Sequence, residues 1–214
     1  MTSAQFVLTA TRLACVPFVP EIRLHQVPDI YALWEQTERE AGQTGLDPPF
    51  WGVAWPGGRA LARYLLDHPA VVAGRSVLDL GSGSGLVAIA AAMAGALTVT
   101  ASETAPLART AIGLNAAANH VTAPECVGDV LGSAVTPAEV VVAGDVWYER
   151  ELAARAGAYL DQAAVAGAHV LTGDIGRSYL PRDRYRHLAS YDLPASKALE
   201  GREVLRASVW RVPC

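Results

Sequence analysis

One stretch of the chain, from Arg75 to Gly95, constrains the fold more than any other, and it reads RSVLDLGSGSGLVAIAAAMAG. A short, mostly apolar run leads into alternating glycines at 81, 83 and 85, and an uncharged alanine-rich segment follows. This order predicts a strand, a tight turn and a helix, the arrangement with which an α/β sheet presents a ligand-binding edge. Because glycine lacks a Cβ, a ligand can approach the turn closely, and free N–H groups at the start of the helix can hold a polar group.

Strand-like and helix-like segments alternate along the rest of the chain. Helices are predicted at 29–41 (with Asp29 as the N-cap), 58–68, 106–120 and 149–164. Strands are predicted at 76–80, 97–102, 125–127, 138–144, 168–172, 187–193 and 204–212, and a polar loop with a short helix at 173–185. We therefore expect an α/β fold, with a Rossmann-like seven-stranded mostly parallel sheet, helices on both faces and a C-terminal antiparallel hairpin.

The N-terminal quarter of the chain has a different character. Residues 1–28 partly alternate and contain Pro17 and Pro20, which favours an extended arm with a hairpin or edge strands. The later sequence GLDPPFWGVAWPGG is rich in Pro, Gly and Trp and predicts an ordered loop. We expect a single domain over 1–214, in which 1–56 form the arm, a helix and the Trp/Pro-rich loop, and 57–214 form the Rossmann-like core.

Charge and cysteine content exclude several classes of function. With a net charge of −4, the chain has no large basic surface for nucleic acid. The three cysteines are far apart and form no CxxC pair, which indicates a reducing cytoplasm and no structural metal. No charge-free run is patterned as a membrane span, so we expect a cytoplasmic monomer that binds neither membrane nor nucleic acid. Lys197 is the only lysine, and it is therefore the only candidate for automethylation at lysine.

Acidic residues stand at or near the ends of three successive predicted strands, at Asp79, Glu103 and Asp129. Glu103 is placed to accept hydrogen bonds from ribose hydroxyls, and Asp129 from an adenine amino group. No Lys or Arg lies between residues 81 and 108 to meet a phosphate, and Leu86 occupies the position of the third glycine of the NAD fingerprint. A nucleoside without phosphates, such as S-adenosylmethionine, meets this description. The alternative is a purely structural strand-to-helix turn.

Three further motifs narrow the class. LDLGSGSG together with Glu103 resembles the class I S-adenosylmethionine-dependent methyltransferases. PPFWGVAWPGGRALARYLLDHP before the glycine loop, AGDVWYE after the fourth strand and LTGDIGRSYLP after the fifth are together similar to the lysine methyltransferases that modify the β subunit of electron transfer flavoprotein, in particular their bacterial relatives. The resemblance extends from about Arg12 to Trp210.

The resemblance implies S-adenosylmethionine as the cofactor, S-adenosylhomocysteine as the product and a protein lysine as the acceptor. With the strand-end acids, the candidate cofactor-binding residues are Trp55, Asp79, Gly81, Gly83, Gly85, Glu103, Asp129 and Asp145. Asp145 and Tyr148, an Asp-x-x-Tyr pair, are expected at the methyl-transfer end as the catalytic residues. Trp147, Asp174 and Arg177 are expected on the substrate side.

Several alternatives stay open from the sequence. Asp145 follows a predicted strand, so it either caps the next helix or accepts a hydrogen bond from the acceptor amine and orients its lone pair. Asp174 and Arg177 form either a substrate contact or an ordinary loop salt bridge. Three functions are compatible with these residues: a protein-lysine N-methyltransferase, an N-methyltransferase of small amines such as nicotinamide, or a non-catalytic cofactor-binding partner protein. The intact pair Asp145 and Tyr148 weighs against the last.

Overall fold

The computed structural model of the protein describes residues 1–135, 137–195 and 201–214. Lys197, the candidate for automethylation, lies outside the described residues. Within them, seven strands form one sheet in the order β5-β4-β3-β6-β7-β9-β8, and two further strands form a separate hairpin. The sheet strands are β3 (Ser76–Leu80), β4 (Thr98–Ser102), β5 (Glu125–Val127), β6 (Val140–Gly144), β7 (His169–Asp174), β8 (Arg186–Pro194) and β9 (Val204–Val212).

The first five strands of the sheet are parallel, and β9 inserts antiparallel between β7 and β8. This confirms the predicted Rossmann-like sheet with its C-terminal antiparallel hairpin. Among the described residues, no helix is both long enough and apolar enough to cross a membrane. The helices are α1 (Ser3–Ala10), α2 (Ile30–Ala41), α3 (Pro56–Asp67), α4 (Leu86–Met93), α5 (Pro106–Ala118) and α6 (Arg150–Val165), with single 3-10 turns at Phe50–Gly52 and Pro69–Val71.

Alternation along the central strand divides the core into two layers. Leu78 and Leu80 of β3 are buried in the same apolar cluster as Leu160 of α6. Val77 points to the other face of the sheet, where it belongs to a second cluster with Leu61 of α3 and Val87 of α4. Because side chains of a strand alternate between the faces of a sheet, Asp79 lies on the side of α3 and α4. The edge that carries the glycine loop therefore belongs to a sheet that is covered on both faces.

The N-terminal arm contains the predicted hairpin and one helix that was not predicted. Strands β1 (Arg12–Val16) and β2 (Val19–Gln26) pair antiparallel, as the sequence indicated. Helix α1 precedes them and begins with a capping box, in which the Thr2 hydroxyl accepts from the Gln5 N–H and the Gln5 side chain accepts from the Thr2 N–H. This Thr-x-x-Gln pattern is a helix-start signal. The predicted extended arm is therefore wrong over Ser3–Ala10, since Pro17 and Pro20, which favour extended structure, lie beyond this helix.

The hairpin docks on α5 through two asparagine side chains. The N–H of Arg23 donates to Oδ1 of Asn119 over 2.8 Å, and the N–H of His25 donates to Oδ1 of Asn115 over 2.7 Å. Asn115 is fully buried, and its amide also donates to the carbonyl of Ser84 in the glycine loop over 2.8 Å. One side chain thus joins the arm, α5 and the loop.

The short helix predicted within 173–185 is absent from the structure, which has only turns at 175–185. Oδ1 of Asp174 accepts the N–H groups of Gly176 and Arg177, each over 2.6 Å. Gly176 has a φ of +87°, which a helix does not allow, and Pro181 removes a further donor. The polar residues that suggested a helix form a side-chain-stabilised turn instead.

Candidate active site

A cavity of about 520 Å³ opens at the carboxyl ends of the parallel strands. This is the edge at which open α/β sheets bind their ligands, and the volume suits a small cofactor with room for an acceptor. Eight of the predicted site residues line the cavity, namely Trp55, Gly81, Gly83, Glu103, Asp129, Asp145, Tyr148 and Arg177. Asp79, Gly85, Trp147 and Asp174 do not line it.

The glycine loop is fastened to the end of β4 by a single carboxylate. Oε2 of Glu103 accepts the N–H of Gly83 over 2.9 Å, while its Oε1 accepts the N–H groups of Thr104 and Ala105. Gly81 and Gly83 have φ values of +66° and +53°, a region in which other residues are strained. Because the carboxylate is fixed beside exposed loop backbone, it can receive two adjacent ribose hydroxyls.

Gly85 supports the loop from behind rather than contacting the cavity. It has a φ of +81° and stands directly before α4. A Cβ at this position would meet Cγ1 of Ile112 in α5 at 3.2 Å. The predicted cofactor contact of Gly85 is therefore corrected to a packing role, in which the absent side chain lets α5 approach the loop.

Asp79 lies beneath the loop and is 1% exposed. Its Oδ2 accepts the hydroxyl of Ser82 over 2.5 Å and the N–H of Ala88 over 3.1 Å. Burial raises the pKa of the Asp79 carboxyl to about 7, although both hydrogen bonds act to lower it. Asp79 therefore joins the loop to the first turn of α4 and acts on the cofactor site indirectly, which corrects the prediction of a direct contact.

The raised pKa makes the free energy of unfolding depend on pH. The unfolded carboxyl titrates near its ordinary pKa of about 3.9, so between about pH 4 and pH 7 the native state binds more protons and stability falls as pH rises. Asp79→Asn removes this term while keeping a side-chain oxygen for both donors. We expect the stability of the variant relative to the wild type to increase from pH 5 to pH 8 by at most about 2.7 kcal/mol, because only the two pH units between pH 5 and the native pKa of about 7 contribute. Urea unfolding at the two pH values measures this.

Asp192→Asn, which removes an exposed carboxylate on β8, is the matched control, and its stability difference from the wild type should stay level between the two pH values. If the stability difference between Asp79→Asn and the wild type is the same at pH 5 and pH 8, burial does not raise the pKa of Asp79 and the prediction is wrong.

Asp129 lines the far end of the cavity and is already paired with a cation. Its Oδ2 accepts from Arg155 of α6 over 2.6 Å, and its Oδ1 accepts the N–H of Leu131 over 2.8 Å. The hydrogen bond from Arg155 lowers the pKa of the Asp129 carboxyl, so the group is ionised at neutral pH. Leu131 and Ala156 line the same end, which gives a charged edge beside an apolar wall, as an adenine ring requires.

Asp145 stands at the opposite end, immediately after β6, in a left-handed conformation with a φ of +57°. Its Oδ2 accepts the N–H of Gly58 over 2.7 Å, and its Oδ1 accepts from the guanidinium of Arg177 over 2.7 Å. It does not cap α6, because the side chain of Glu149 accepts the N–H groups of Glu151 and Leu152 there. The capping alternative for Asp145 is therefore wrong.

The Arg177 guanidinium joins two carboxylates. The same nitrogen that contacts Asp145 donates to Oδ2 of Asp174 over 2.9 Å, and Asp174 is fully buried outside the cavity wall. The predicted substrate-side position of Asp174 is thus corrected: it is the loop salt-bridge partner that holds Arg177. Burial raises the pKa of the Asp145 carboxyl and the Arg177 charge opposes this, while the two carboxylates outweigh burial and raise the pKa of Arg177.

The WPGG motif brings the start of α3 into backbone contact with the sheet. A Cβ at Gly57 would meet the carbonyl oxygen of Gly173 at 2.3 Å, and a Cβ at Gly144 would meet the Cα of Gly58 at 2.9 Å. The missing side chains of Gly57, Gly144 and Gly173 therefore allow α3 to lie against the ends of β6 and β7. This contact presents the Gly58 N–H to Asp145. The signal in the sequence is two adjacent glycines at a helix start, where glycine is otherwise unfavourable.

Aromatic rings form the rim of the cavity near Asp145. Phe50 lies 5.4 Å from Tyr148 and 5.8 Å from Trp55 between ring centroids, and the indole N–H of Trp55 donates to the Phe50 carbonyl over 2.8 Å. Tyr148 is 47% exposed, and burial of its hydroxyl together with the charges of Asp47 and Glu149 raises its pKa. Phe50 and Asp47 were not among the predicted site residues.

Trp147, also predicted on the substrate side, belongs to the apolar core cluster between the sheet and α6. It is 1% exposed, packs edge-on against Tyr185 and donates its indole N–H to the hydroxyl of Thr172 over 2.8 Å. Consecutive residues after Asp145 diverge, so Tyr148 reaches the rim while Trp147 lies under α6. The predicted substrate-side role of Trp147 is therefore corrected to a packing role.

Comparison with known proteins gives a consistent family. The protein-family model for ribosomal protein L11 methyltransferase (PrmA) matches residues 60–145. The electron transfer flavoprotein beta subunit lysine methyltransferase of Mus musculus is 38% identical over 198 residues, covering 89% of this chain and 76% of the relative. The protein of that name from Xenopus laevis is 36% identical over 211 residues, covering 96% of this chain and 85% of the relative.

Solved structures agree on the fold. A crystal structure of the Thermoplasma acidophilum 1320 protein superimposes with a TM-score of 0.57 at 16% identity, covering 72% of this chain and 89% of the other. The ribosomal protein L11 methylase from Lactobacillus delbrueckii subsp. bulgaricus superimposes with a TM-score of 0.50 at 21% identity, covering 71% of this chain and 77% of the other. At such identities the likeness concerns the fold alone.

Proposed function

The chain belongs to the family of electron transfer flavoprotein beta subunit lysine methyltransferases, and we propose that it methylates lysine side chains on the β subunit of an electron transfer flavoprotein. The observation that carries this proposal is the identity of 36–39% to five vertebrate members. The chain is an S-adenosylmethionine-dependent methyltransferase, and the proposal concerns its acceptor and the residues that act on it.

The cavity fits S-adenosylmethionine on the protein's own geometry. A Cβ at Gly81 or Gly83 would meet no atom closer than 3.4 Å, so internal packing does not demand glycine there. Their positive φ does, and it turns bare backbone toward the cavity beside Glu103. We assign the ribose to Glu103, the adenine to the wall beside Asp129 and the methionine part to the end near Asp145. When bound, the cofactor supplies an electrophilic methyl group on a sulfonium.

The acceptor amine has to lose its proton before it can attack. A free lysine has a pKa of about 10.4, so deprotonation at pH 7 costs about 5 kcal/mol. Beside Asp145, the guanidinium of Arg177 favours the neutral amine because it repels the charged form. Asp145 then accepts one N–H of the amine and points its lone pair at the methyl group. Positioning is its role. Burial raises the pKa of its carboxyl and the Arg177 charge opposes this rise, but an ammonium with a pKa of about 10.4 is still too weak an acid to give its proton readily to a carboxylate.

The Asp145 carboxylate is held for this task on both oxygens. The Gly58 N–H fixes Oδ2 and Arg177 fixes Oδ1, which leaves one lone-pair direction on each oxygen for the amine. We infer further that residues 1–214 act as one domain, since Asn115 joins the N-terminal arm to the glycine loop.

The test is methylation of the purified flavoprotein. We expect the chain, given tritiated S-adenosylmethionine and electron transfer flavoprotein from the same source, to label the β subunit, and mass spectrometry of its peptides to locate the methylated lysine. The α subunit in the same reaction is the internal control. A β subunit that takes up no label would overturn the proposal. Label that appears instead in the small-molecule fraction of a cell lysate, given the same cofactor, would favour the small-amine methyltransferase.

A further inference from the structure

Four carboxylates line the cavity, and the protein itself uses three of them. Glu103 accepts three backbone N–H groups, Asp129 is paired with Arg155, and Asp145 is bound to Gly58 and Arg177. The fourth, Asp47, forms no hydrogen bond or ion pair through its side chain with any residue that the structure describes. An exposed carboxylate without a partner at the wall of an enzyme cavity is available to a ligand.

Hydrogen bonds hold the backbone on the N-terminal side of Asp47, which keeps this residue at the cavity wall. Oε1 of Glu38 in α2 accepts the N–H groups of Gly45 and Leu46 over 2.5 and 3.1 Å. The indole N–H of Trp34 donates to the Leu46 carbonyl over 2.8 Å. Pro48, which follows Asp47, also lines the cavity and restricts the backbone of the residue before it. Helix α2 thus holds the Trp/Pro-rich loop over the cavity.

The surroundings of Asp47 are aromatic and belong to the acceptor end. Asp47, Phe50 and Tyr148 line the same cavity, and Tyr148 packs on Phe50. Burial and, next, the Asp47 charge raise the pKa of the Tyr148 hydroxyl. A carboxylate beside aromatic faces is the combination that binds an alkylammonium ion, because the charge and the ring quadrupoles both attract a cation. Asp145 is a poorer site for a cation, since the Arg177 guanidinium already lies 2.7 Å from it.

We propose that Asp47, with the rings of Phe50 and Tyr148, forms a docking site that binds the substrate lysine as an ammonium ion before the amine moves inward to Asp145. The inference rests on the proposed function, because it takes lysine as the acceptor. The ammonium releases its proton to water at this exposed rim, and the neutral amine then passes the Arg177 charge. Asp47 thereby contributes affinity for the acceptor and leaves the methyl transfer itself to the inner residues.

The test compares Asp47→Asn with Glu35→Gln, which removes one carboxylate from the exposed face of α2 outside the cavity. At saturating S-adenosylmethionine, Asp47→Asn is expected to raise KM for the flavoprotein β subunit at least about fivefold while kcat stays within about twofold. The Kd of S-adenosylhomocysteine, measured by calorimetry, is expected to stay within about twofold. Glu35→Gln should change none of these values.

A second readout is independent of the flavoprotein. The permanently cationic probe Nα-acetyl-trimethyllysine amide, titrated against tryptophan fluorescence, is expected to bind the wild type at least about fivefold more tightly than Asp47→Asn. Uncharged Nα-acetyl-norleucine amide should not distinguish the two. If the wild type labels no lysine of the β subunit, the proposed function fails and the probe still decides the docking site. Equal affinities for the cationic probe, or a weakened Kd for S-adenosylhomocysteine, would overturn the inference.

Discussion

Gly57→Ala is expected to lower the free energy of unfolding by about 3 kcal/mol and to abolish methyl transfer. The added Cβ would lie 2.3 Å from the carbonyl oxygen of Gly173 and 2.8 Å from the carboxyl carbon of Asp145. The Gly173 carbonyl is a backbone group of β7, so it cannot relieve the contact by changing rotamer as a side chain could. Helix α3 must therefore move off the sheet, and the N–H of Gly58 moves away from Asp145 with it.

Gly58→Ala is the matched control, because it adds the same methyl group one residue further on. Its Cβ would meet nothing closer than 3.8 Å, and the N–H that Asp145 uses remains. Since alanine is the better helix former, we expect stability to be unchanged or higher by up to about 1 kcal/mol. Urea unfolding and methyl-transfer rates of the two variants measure the difference. A Gly57→Ala protein as stable as Gly58→Ala would show that α3 yields to the added group.

Asp145→Asn is expected to lower kcat by about a hundredfold or more while the Kd of S-adenosylmethionine stays within about tenfold, or 1.4 kcal/mol. The amide has one oxygen where the carboxylate has two, so either the Gly58 N–H or Arg177 loses its acceptor. The remaining oxygen keeps a free lone pair, but the side chain has lost its charge and one of its two anchors, so the acceptor amine finds no correctly placed partner. Single-turnover methyl transfer and calorimetry measure the two quantities separately.

Asp161→Asn provides the comparison for Asp145→Asn. Asp161 is likewise paired with an arginine, Arg184 at 3.0 Å, and it lies outside the cavity. Its substitution should leave kcat unchanged, which excludes a general effect of removing a paired carboxylate. An equal loss of cofactor affinity and of rate in Asp145→Asn would instead identify Asp145 as a cofactor ligand or a purely structural group.

The part of the site around Gly83 and Glu103 was predictable, because its contacts join residues that are near in sequence or are aligned by the pairing of neighbouring strands. Parallel pairing of Leu80 with Ser102 places the loop that begins at Gly81 beside Glu103, and both strands are apparent from local patterning. The same alternation, applied more strictly, would have placed Asp79 on the opposite face from Leu80 and so behind the loop. That error came from reading an acid near a strand end as an acid at the cavity.

The acceptor half depends on contacts between distant parts of the chain. The hydrogen bond from Gly58 to Asp145 joins residues 87 positions apart, and no periodic pattern predicts such a pairing. The left-handed backbone of Asp145 likewise has no local signal, because most aspartates do not adopt a positive φ, although aspartate does so more often than most residues. Without this bend the divergence of Trp147 and Tyr148 could not be foreseen. The family resemblance predicted the Asp-x-x-Tyr motif there, and the structure shows that Asp145 and Tyr148 line the cavity while Trp147 does not.

Asn115 connects the N-terminal arm to the glycine loop, so we expect the stability of the arm to be coupled to binding at the proposed cofactor site. Its side chain accepts from His25 in the hairpin and donates to Ser84 in the glycine loop, so the order of one segment depends on the order of the other. Such linkage is reciprocal: whatever free energy an ordered hairpin contributes to holding the cofactor, the bound cofactor returns to holding the hairpin. We therefore expect an ordered hairpin and a cofactor bound at the proposed site to stabilise each other.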